Sequence, residues 1–430
     1  EMLRSLVGSE MCIRDRSRFD KNVVKSYITE VNPIGEPLNM AVIDRASILL
    51  NEIPGIQVAT QLEAGESIGD TVLRVELADT PMFAGRVEVN DYGSRSTGRR
   101  QGLAALNINN LSGIGDQVTL NAMYSEGSQY VQTAYSLPIN KDGLRAGVSA
   151  TYLDYKNIGA YAYPNGSFGD AYTAGVNLAY PLVRSAQGNL NVSLAYDLKS
   201  YLNKNMQTTD VVSSYDIRNI SFNLSGNYYD SFGGGAVTSG SLGLVIGDLS
   251  ISPISGSFGA HTPKNFTKLA VSINRTQQLT TEGTSLYLGI SGQIASANLN
   301  SAEQFYLGGP YGIKAYPSSQ GGGSQGALAT LELRQQLPDN MLVSAFYDVG
   351  LVQQYKNTYQ DWQGLTHANN TYSLQGVGLS LKWIYDGWSV AAIAARQVGN
   401  NPLYSAAGLP VAVDGTTSKS RYWLTASYQF

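Results

Sequence analysis

Histidine, cysteine and charged residues are all scarce in this chain of 430 residues, and no apolar run approaches the length of a transmembrane helix. The two histidines, His261 and His367, lie in loop-like surroundings, and neither falls in a nucleophile or metal spacing. There is no cysteine–histidine cluster, no HExxH and no phosphate-binding loop ahead of a helix. The Gly321-Gly322-Gly323 run lacks that strand–helix context and reads as flexible loop. No catalytic residue, metal site or cofactor is therefore expected. A serine–histidine–acid triad stays open at the level of sequence, because such groups meet only in the fold. Charged residues make up 14% of the chain, which together with the richness in tyrosine and glycine fits neither a disordered chain nor a helical enzyme. The formal net charge of −4 argues against nucleic acid as a main partner.

Tyrosine and glycine are abundant, and asparagine and serine are common. Tyrosine is favoured in strands and at membrane interfaces. From Phe83 to Phe430, short alternating segments are separated by Gly, Asn, Asp, Pro and Ser. In one, Val118, Leu120, Ala122 and Tyr124 alternate with Thr119, Asn121, Met123 and Ser125. In another, Val377, Leu379, Leu381 and Trp383 alternate with Gly376, Gly378, Ser380 and Lys382. A soluble sandwich also alternates, but its outward face would be rich in Lys and Glu. Here the polar face is Asn, Ser, Thr and Gly, which suits a wet lumen, and the apolar face ends in Tyr or Trp, which suits an aromatic girdle. In a transmembrane barrel only every second residue faces lipid, so the mean hydropathy stays near neutral.

The alternation predicts a mostly β chain: a transmembrane antiparallel barrel over residues 82–430, with roughly sixteen strands from near Arg86 to near Tyr422. The short connections 138–143, 185–188 and 338–340 are expected on the periplasmic side. The longer stretches 157–169, 298–325, 355–371 and 399–420 are expected outside the cell. Tyr422, Leu424, Ala426, Tyr428 and Phe430 share one face, and the chain stops at Phe430.

Residues before the barrel differ. The only cysteine, Cys12, lies in residues 1–16, EMLRSLVGSEMCIRDR, which share no pattern with the rest of the chain. The string SLVGSEMCIRDR resembles a translated sequencing-adapter read-through, so the segment is expected to be foreign to the fold. Without it the chain has no cysteine, which is compatible with a periplasmic or outer-membrane protein. No signal peptide is visible, and the natural N-terminus is expected to be missing. Residues 17–81 predict a small α+β module. Helical spacing covers 22–31 and 38–53, with Leu38, Val42, Ala46, Leu49 and Leu50 on one face. Pro54-Gly55 ends the second helix, and strands continue over 55–62 and 71–78 around a 65–69 turn. With Gly35-Glu36-Pro37-Leu38 before that helix, NEIPG (51–55) after it, and Gly65 and Gly69 in the turn, the module resembles a periplasmic POTRA domain. A POTRA fold normally opens with another strand, so the module is expected to be incomplete.

The remaining feature is residues 307–317, LGGPYGIKAYP, succeeded about thirty residues later by Phe346-Tyr347-Asp348-Val349-Gly350. A lone cation at a loop tip and a lone acid on a strand predict that the loop near 298–325 folds inward, with Ile313–Tyr316 inside the barrel and Lys314 within ion-pair reach of Asp348. The strand phase supports this. Asp348 shares a face with Ser344 and Gly350, whereas Val343, Ala345, Tyr347 and Val349 take the other, and an aspartate facing lipid is expensive. Glu332 should also face the lumen. The alternative is that Lys314 is a solvated loop lysine.

A POTRA-like module leading into a barrel resembles the polypeptide-transport and barrel-insertase superfamily. Ile313-Lys314-Ala315-Tyr316 is similar to its loop-tip signature, usually apolar–Arg–Gly–aromatic, and Phe346, Asp348, Gly350 and Glu332 correspond to the wall that receives it. Residues 87–94 with Thr97-Gly98, and residues 111–116, 135–138 and 331–334, are most similar to two-partner secretion transporters of the haemolysin-activator type. Tyr428 and Phe430 resemble the assembly signal of outer-membrane barrels. The resemblance implies a transporter in the bacterial outer membrane that secretes a large unfolded partner polypeptide. The implied partners are that polypeptide, the lipid bilayer and the barrel assembly machinery. A barrel insertase is the nearest alternative and a passive porin a more distant one. Two departures stand out. Lys314 replaces Arg and cannot form a bidentate fork, and Ala315 replaces Gly and loses access to positive φ.

Overall fold

The computed structural model describes all residues except 1–18, 34–35, 37–38, 66–70, 162–165, 256–258, 260, 364–367, 405–407 and 409. Residues 1–16 and His367 thus lie outside the described residues, as do Gly35, Pro37, Leu38 and Gly69 of the module motif.

The module begins with α1 (Lys21–Thr29) and α2 (Met40–Asn51). Asp20 caps the first helix, its Oδ1 accepting from the Asn22 N–H at 2.8 Å. A hairpin comes next, β1 (Ile56–Ala64) with β2 (Thr71–Asp79), paired antiparallel from Ile56↔Asp79 to Ala64↔Thr71. Val24, Ile28, Ile43, Ala46, Leu49 and Leu50 bury against Ile56, Val58, Leu73, Val75 and Leu77. One expected core position is displaced: Ile43 is buried and Val42 only half-buried. The reason is the helix phase, since 43, 46 and 50 fall on the i, i+3, i+7 stripe that faces the hairpin. Gly55, at φ 93°, turns the chain from α2 into β1.

The wall comprises β3 (Phe83–Asn90), β4 (Gln101–Asn109), β5 (Gln117–Ser125), β6 (Ser128–Pro138), β7 (Arg145–Lys156), β8 (Ser167–Arg184), β9 (Gly188–Asn205), β10 (Val211–Asp230), β11 (Ala236–Ile251), β12 (Asn265–Gln278) and β13 (Thr284–Ala295). A short ribbon, β14 (Phe305–Tyr306) with β15 (Gly322–Gly323), lies within the next connection. Then come β16 (Gln325–Leu337), β17 (Met341–Gln353), β18 (Thr371–Tyr385), β19 (Trp388–Gln397) and β20 (Ser420–Gln429). Among the described residues, sixteen strands pair with their neighbours, and β20 returns to β3, closing an antiparallel barrel. Closure leaves no sheet edge to satisfy in lipid.

The period-two reading holds along the wall. Leu120, Tyr124, Leu194, Tyr196, Leu198, Leu379 and Leu381 are exposed on the outside, while polar side chains meet within. Thr119 donates to Asn107 at 2.9 Å, and Asn121 to Gln132 at 2.9 Å. Aromatic pairs Trp383–Tyr385 and Trp388–Tyr428 flank the tight 386–387 turn, where a girdle is expected.

The connections at one end are all short (110–116, 139–144, 185–187, 231–235, 279–283, 338–340, 386–387), and the described residues of the long ones (157–166, 252–264, 296–324, 354–370, 398–419) lie at the other, with 91–100, 126–127 and 206–210. The module packs at the short-turn end. Arg45 donates to the Pro181 carbonyl at 2.7 Å, Glu52 pairs with Arg184 at 2.5 Å, and Glu30 pairs with Lys141. Gly115 is bare there for a reason: a Cβ on it would lie 2.6 Å from Ile53 Cγ2. Asp116 beside it accepts from the Ser112 N–H and the Tyr135 hydroxyl, which joins two of the sequence segments that carry the family resemblance.

Candidate functional site

The connection 296–324 does not stay outside the wall. The ribbon β14–β15 leads it inward, and main-chain bonds then fold residues 307–320 into a compact hairpin. The Gly308 N–H donates to the Gln320 carbonyl at 2.9 Å, Ile313 N–H to Leu307 at 2.7 Å, and Tyr316 N–H to Ile313 at 3.0 Å. Gly309 has φ 114°, and a Cβ on Gly312 would meet the Leu307 carbonyl at 2.1 Å, so both turns require glycine. Leu307, Ile313, Ala315 and Tyr316 are buried and pack on Phe346, Val352, Tyr372, Leu374 and Ala395 of the wall.

Lys314 lies at the centre of the contact. Its Nζ is 3.0 Å from Asp348 Oδ1, and its own main-chain N–H donates to Asp348 Oδ2 at 3.0 Å. Thr330 donates to Oδ1 at 2.9 Å. Asp348 is 0% exposed and the Lys314 side chain 12% exposed, so this is a buried pair and not a solvated lysine. Glu332 stands 3.4 Å from Lys314 Nζ and is held in turn by Arg334 at 2.7 Å. The ammonium lies 4.3 Å from the Phe346 ring centroid, within cation–π reach. The structure thus brings Ile313, Lys314, Ala315, Tyr316, Glu332, Phe346, Asp348 and Gly350 together. Tyr428 and Phe430 lie elsewhere, at the seam between β20 and β3.

Both departures from the family pattern have a local explanation. The main-chain N–H of Lys314 gives Asp348 a second donor beside the ammonium, so both carboxylate oxygens are bonded without a guanidinium fork. Ala315 has no positive φ, unlike Gly309, Ser319 and Gly321, so it needs no glycine. Its methyl instead occupies the space over Gly376, where an added Cβ would be 2.7 Å away. Gly350 likewise leaves room for Leu307 and Ile313.

Several contributors were not evident from sequence. Trp423 of β20 donates to the Lys314 carbonyl at 2.8 Å, and Ser318 donates to the Tyr92 carbonyl at 2.8 Å. The latter contact joins the loop to the first hairpin turn of the barrel. Glu303, nearer the loop's start, is buried with Lys199 and Lys268, each 2.8 Å away. The lumen phase of those two lysines was the available signal. Tyr316 is buried, its hydroxyl finds no hydrogen-bond partner among the described residues, and burial pushes its phenol up to about 12. The arrangement forms a steric element inside the barrel, held by charge.

The family model for the haemolysin secretion/activation protein ShlB/FhaC/HecB matches residues 69–382. The heme/hemopexin transporter protein HuxB of Haemophilus influenzae is 28% identical over 411 residues, covering 93% of this chain and 71% of HuxB. The outer membrane transporter CdiB of Dickeya dadantii is 25% identical over 375 residues, covering 83% of this chain and 65% of that protein. Among solved structures, CdiB from Acinetobacter baumannii superposes with a TM-score of 0.75 at 18% identity, over 100% of this chain and 74% of that one. BamA from Haemophilus ducreyi lacking POTRA domains 1–3 gives 0.61 at 14% identity, over 98% and 85%. At these identities the two structures speak for the fold alone.

Proposed function

This chain belongs to the haemolysin secretion/activation protein family, and from that premise we propose how its barrel, loop and module divide the work of export. The protein is an outer-membrane transporter that secretes a large partner protein. The barrel spans the outer membrane. The α+β module at the short-turn end is a POTRA-like periplasmic domain that receives an extended segment of the client, by strand addition to the hairpin of β1 and β2. The loop 296–324 narrows the lumen at rest, and the client passes as it shifts. Folding of the client outside draws the rest through without a nucleotide. Tyr428 and Phe430 serve as the signal read by the barrel assembly machinery.

The observation that carries the loop's role is the buried Lys314–Asp348 clasp within a closed wall. A barrel insertase shares the fold, but the matched family is one of secretion proteins. The test is co-expression with a candidate partner encoded beside this gene, with and without residues 307–317. Loss of the partner from the medium, with the barrel still assembled, is the expected result. Undiminished export after the deletion would overturn the loop's role.

A further inference from the structure

Residues 296–324 pass one buried charge before they reach the tip. Glu303 closes a single turn of helix (Ser301–Glu303) whose start is capped by Asn300, with Oδ1 accepting from the Ala302 N–H at 3.0 Å. Its carboxylate lies against the arc of wall from β9 to β13. Lys199 of β9 stands 2.8 Å from Oε1, and Lys268 of β12 stands 2.8 Å from Oε2. Asn219 of β10 donates to Oε1 at 2.9 Å. The main-chain carbonyl of Glu303 accepts from Lys268 Nζ at 3.0 Å and from Gln293 Nε2 of β13 at 3.1 Å. Two mostly buried ammonium groups on a wall are costly without an acid between them, because an unpaired buried charge is poorly compensated. That acid comes from the loop.

The polarity is opposite to that at the tip. There the loop brings a cation, Lys314, to acids on β16 and β17; here it brings an acid to cations on β9 and β12. Only one placement of the loop satisfies both, since any register that moved Glu303 toward Asp348 would set like charges together. We propose that Glu303 is a second positioning residue, a root anchor that holds the entering limb of the loop to the wall independently of the tip. The inference rests on the reading of the loop as the element that narrows the lumen.

The test reads loop position, not export. With Cys12 changed to Ser, spin labels are attached to single cysteines replacing Ala302, beside the root, or Tyr311, beside the tip and 85% exposed. Glu303→Gln is expected to turn the Ala302 label from an immobilised to a mobile spectrum and leave the Tyr311 label unchanged. Asp348→Asn is expected to do the reverse. Lys199→Met combined with Lys268→Met should reproduce Glu303→Gln. If that pair does not assemble, by heat-modifiable migration, Lys268→Met alone reports the same loosening to a smaller extent. An unchanged Ala302 spectrum in assembled Glu303→Gln, or release of both labels by either change, overturns the proposal. Labels that behave as expected while export is unaffected would support the root anchor and count against the loop's role in export.

Discussion

At Asp348 three hydrogen bonds converge, two of them from Lys314. Removing one partner of a buried pair strands the other and typically costs about 3–5 kcal/mol. Here that cost falls on docking of the loop, since the wall strands keep their ladder. Asp348→Asn is therefore expected to leave a heat-modifiable barrel, free the tip and lower export of the partner. Lys314→Arg should preserve export, because a guanidinium over the Phe346 ring reaches the same two acids. Packing offers an independent check. A methyl at position 376 would meet Ala315 Cβ at 2.7 Å, and that carbon is fixed to the loop backbone, whereas position 102 has nothing within 4 Å. Gly376→Ala should cost the docked loop about 1–3 kcal/mol through overpacking, and Gly102→Ala should be silent. Protease sensitivity of the loop measures the difference. Glu303 adds a pH dependence. Burial pushes its carboxyl up, but Lys268 and Lys199 outweigh burial and hold it below the ordinary glutamate value. A depressed folded-state value contributes above the unfolded value, and the contribution is lost as pH falls through the folded one. The groups that face this carboxylate are Lys199, Lys268 and Asn219, with Tyr201 near it, while Gln293 holds the main-chain carbonyl of Glu303. A label at Ala302 should thus stay immobilised across neutral and mildly acid pH and loosen only below the ordinary glutamate range.

Among the pairings of the barrel wall, the seam between β20 and β3 is the least extensive. Its register runs only from Thr425↔Asn90 to Gln429↔Arg86, whereas β8 and β9 pair from Ser167↔Asn205 to Arg184↔Asn189. The seam uses only Arg86–Asn90 of β3, which pairs with β4 along its whole length. Phe430 lengthens this seam by one step, exchanging main-chain bonds with Gly85 at 2.9 and 3.0 Å. Its ring covers the bare glycine, where a Cβ would lie 2.4 Å from Cζ. Deleting Phe430 removes both bonds and bares the Gly85 peptide at a membrane-facing edge, where each unsatisfied group costs several kcal/mol. Membrane levels of the truncated protein should fall well below those of a protein with an equal deletion in the 354–370 loop. Equal levels would remove the seam from the account of assembly.

On the scale of the whole molecule, the exposed apolar belt is the dominant physical fact. Leu194, Leu198, Ile220, Phe222, Leu379, Leu381 and Leu424 all face outward. A soluble protein rarely exposes so large a contiguous apolar surface, and lipid is what covers it here. The protein is expected to fractionate with outer membranes and to migrate faster in detergent gels before heating than after. Recovery as a detergent-free soluble monomer would contradict the barrel's placement in lipid. Trimming residues 1–16 should leave that behaviour unchanged.

Alternation by itself determined the barrel. Side chains in a strand change face at every residue, so the period, the approximate strand count and the lumen side of Asp348 and Glu332 derive from local order along the chain. The α+β order of the module was legible for the same reason, as was the nature of the loop tip, carried by a short run of specific residues. The choice between Val42 and Ile43 was not, because it depends on how α2 is rotated against its hairpin. Nor was the root anchor. Glu303 meets Lys199 across 104 positions of sequence and Lys268 across 35, and the curvature of the sheet from β9 to β12 brings both lysines to the same buried carboxylate. Tertiary structure also decided how the lysine at the tip is held, because its main-chain N–H points at the acid its side chain already pairs with. Periodicity is written residue by residue, but which charges share a lumen is fixed by the curvature of the closed sheet.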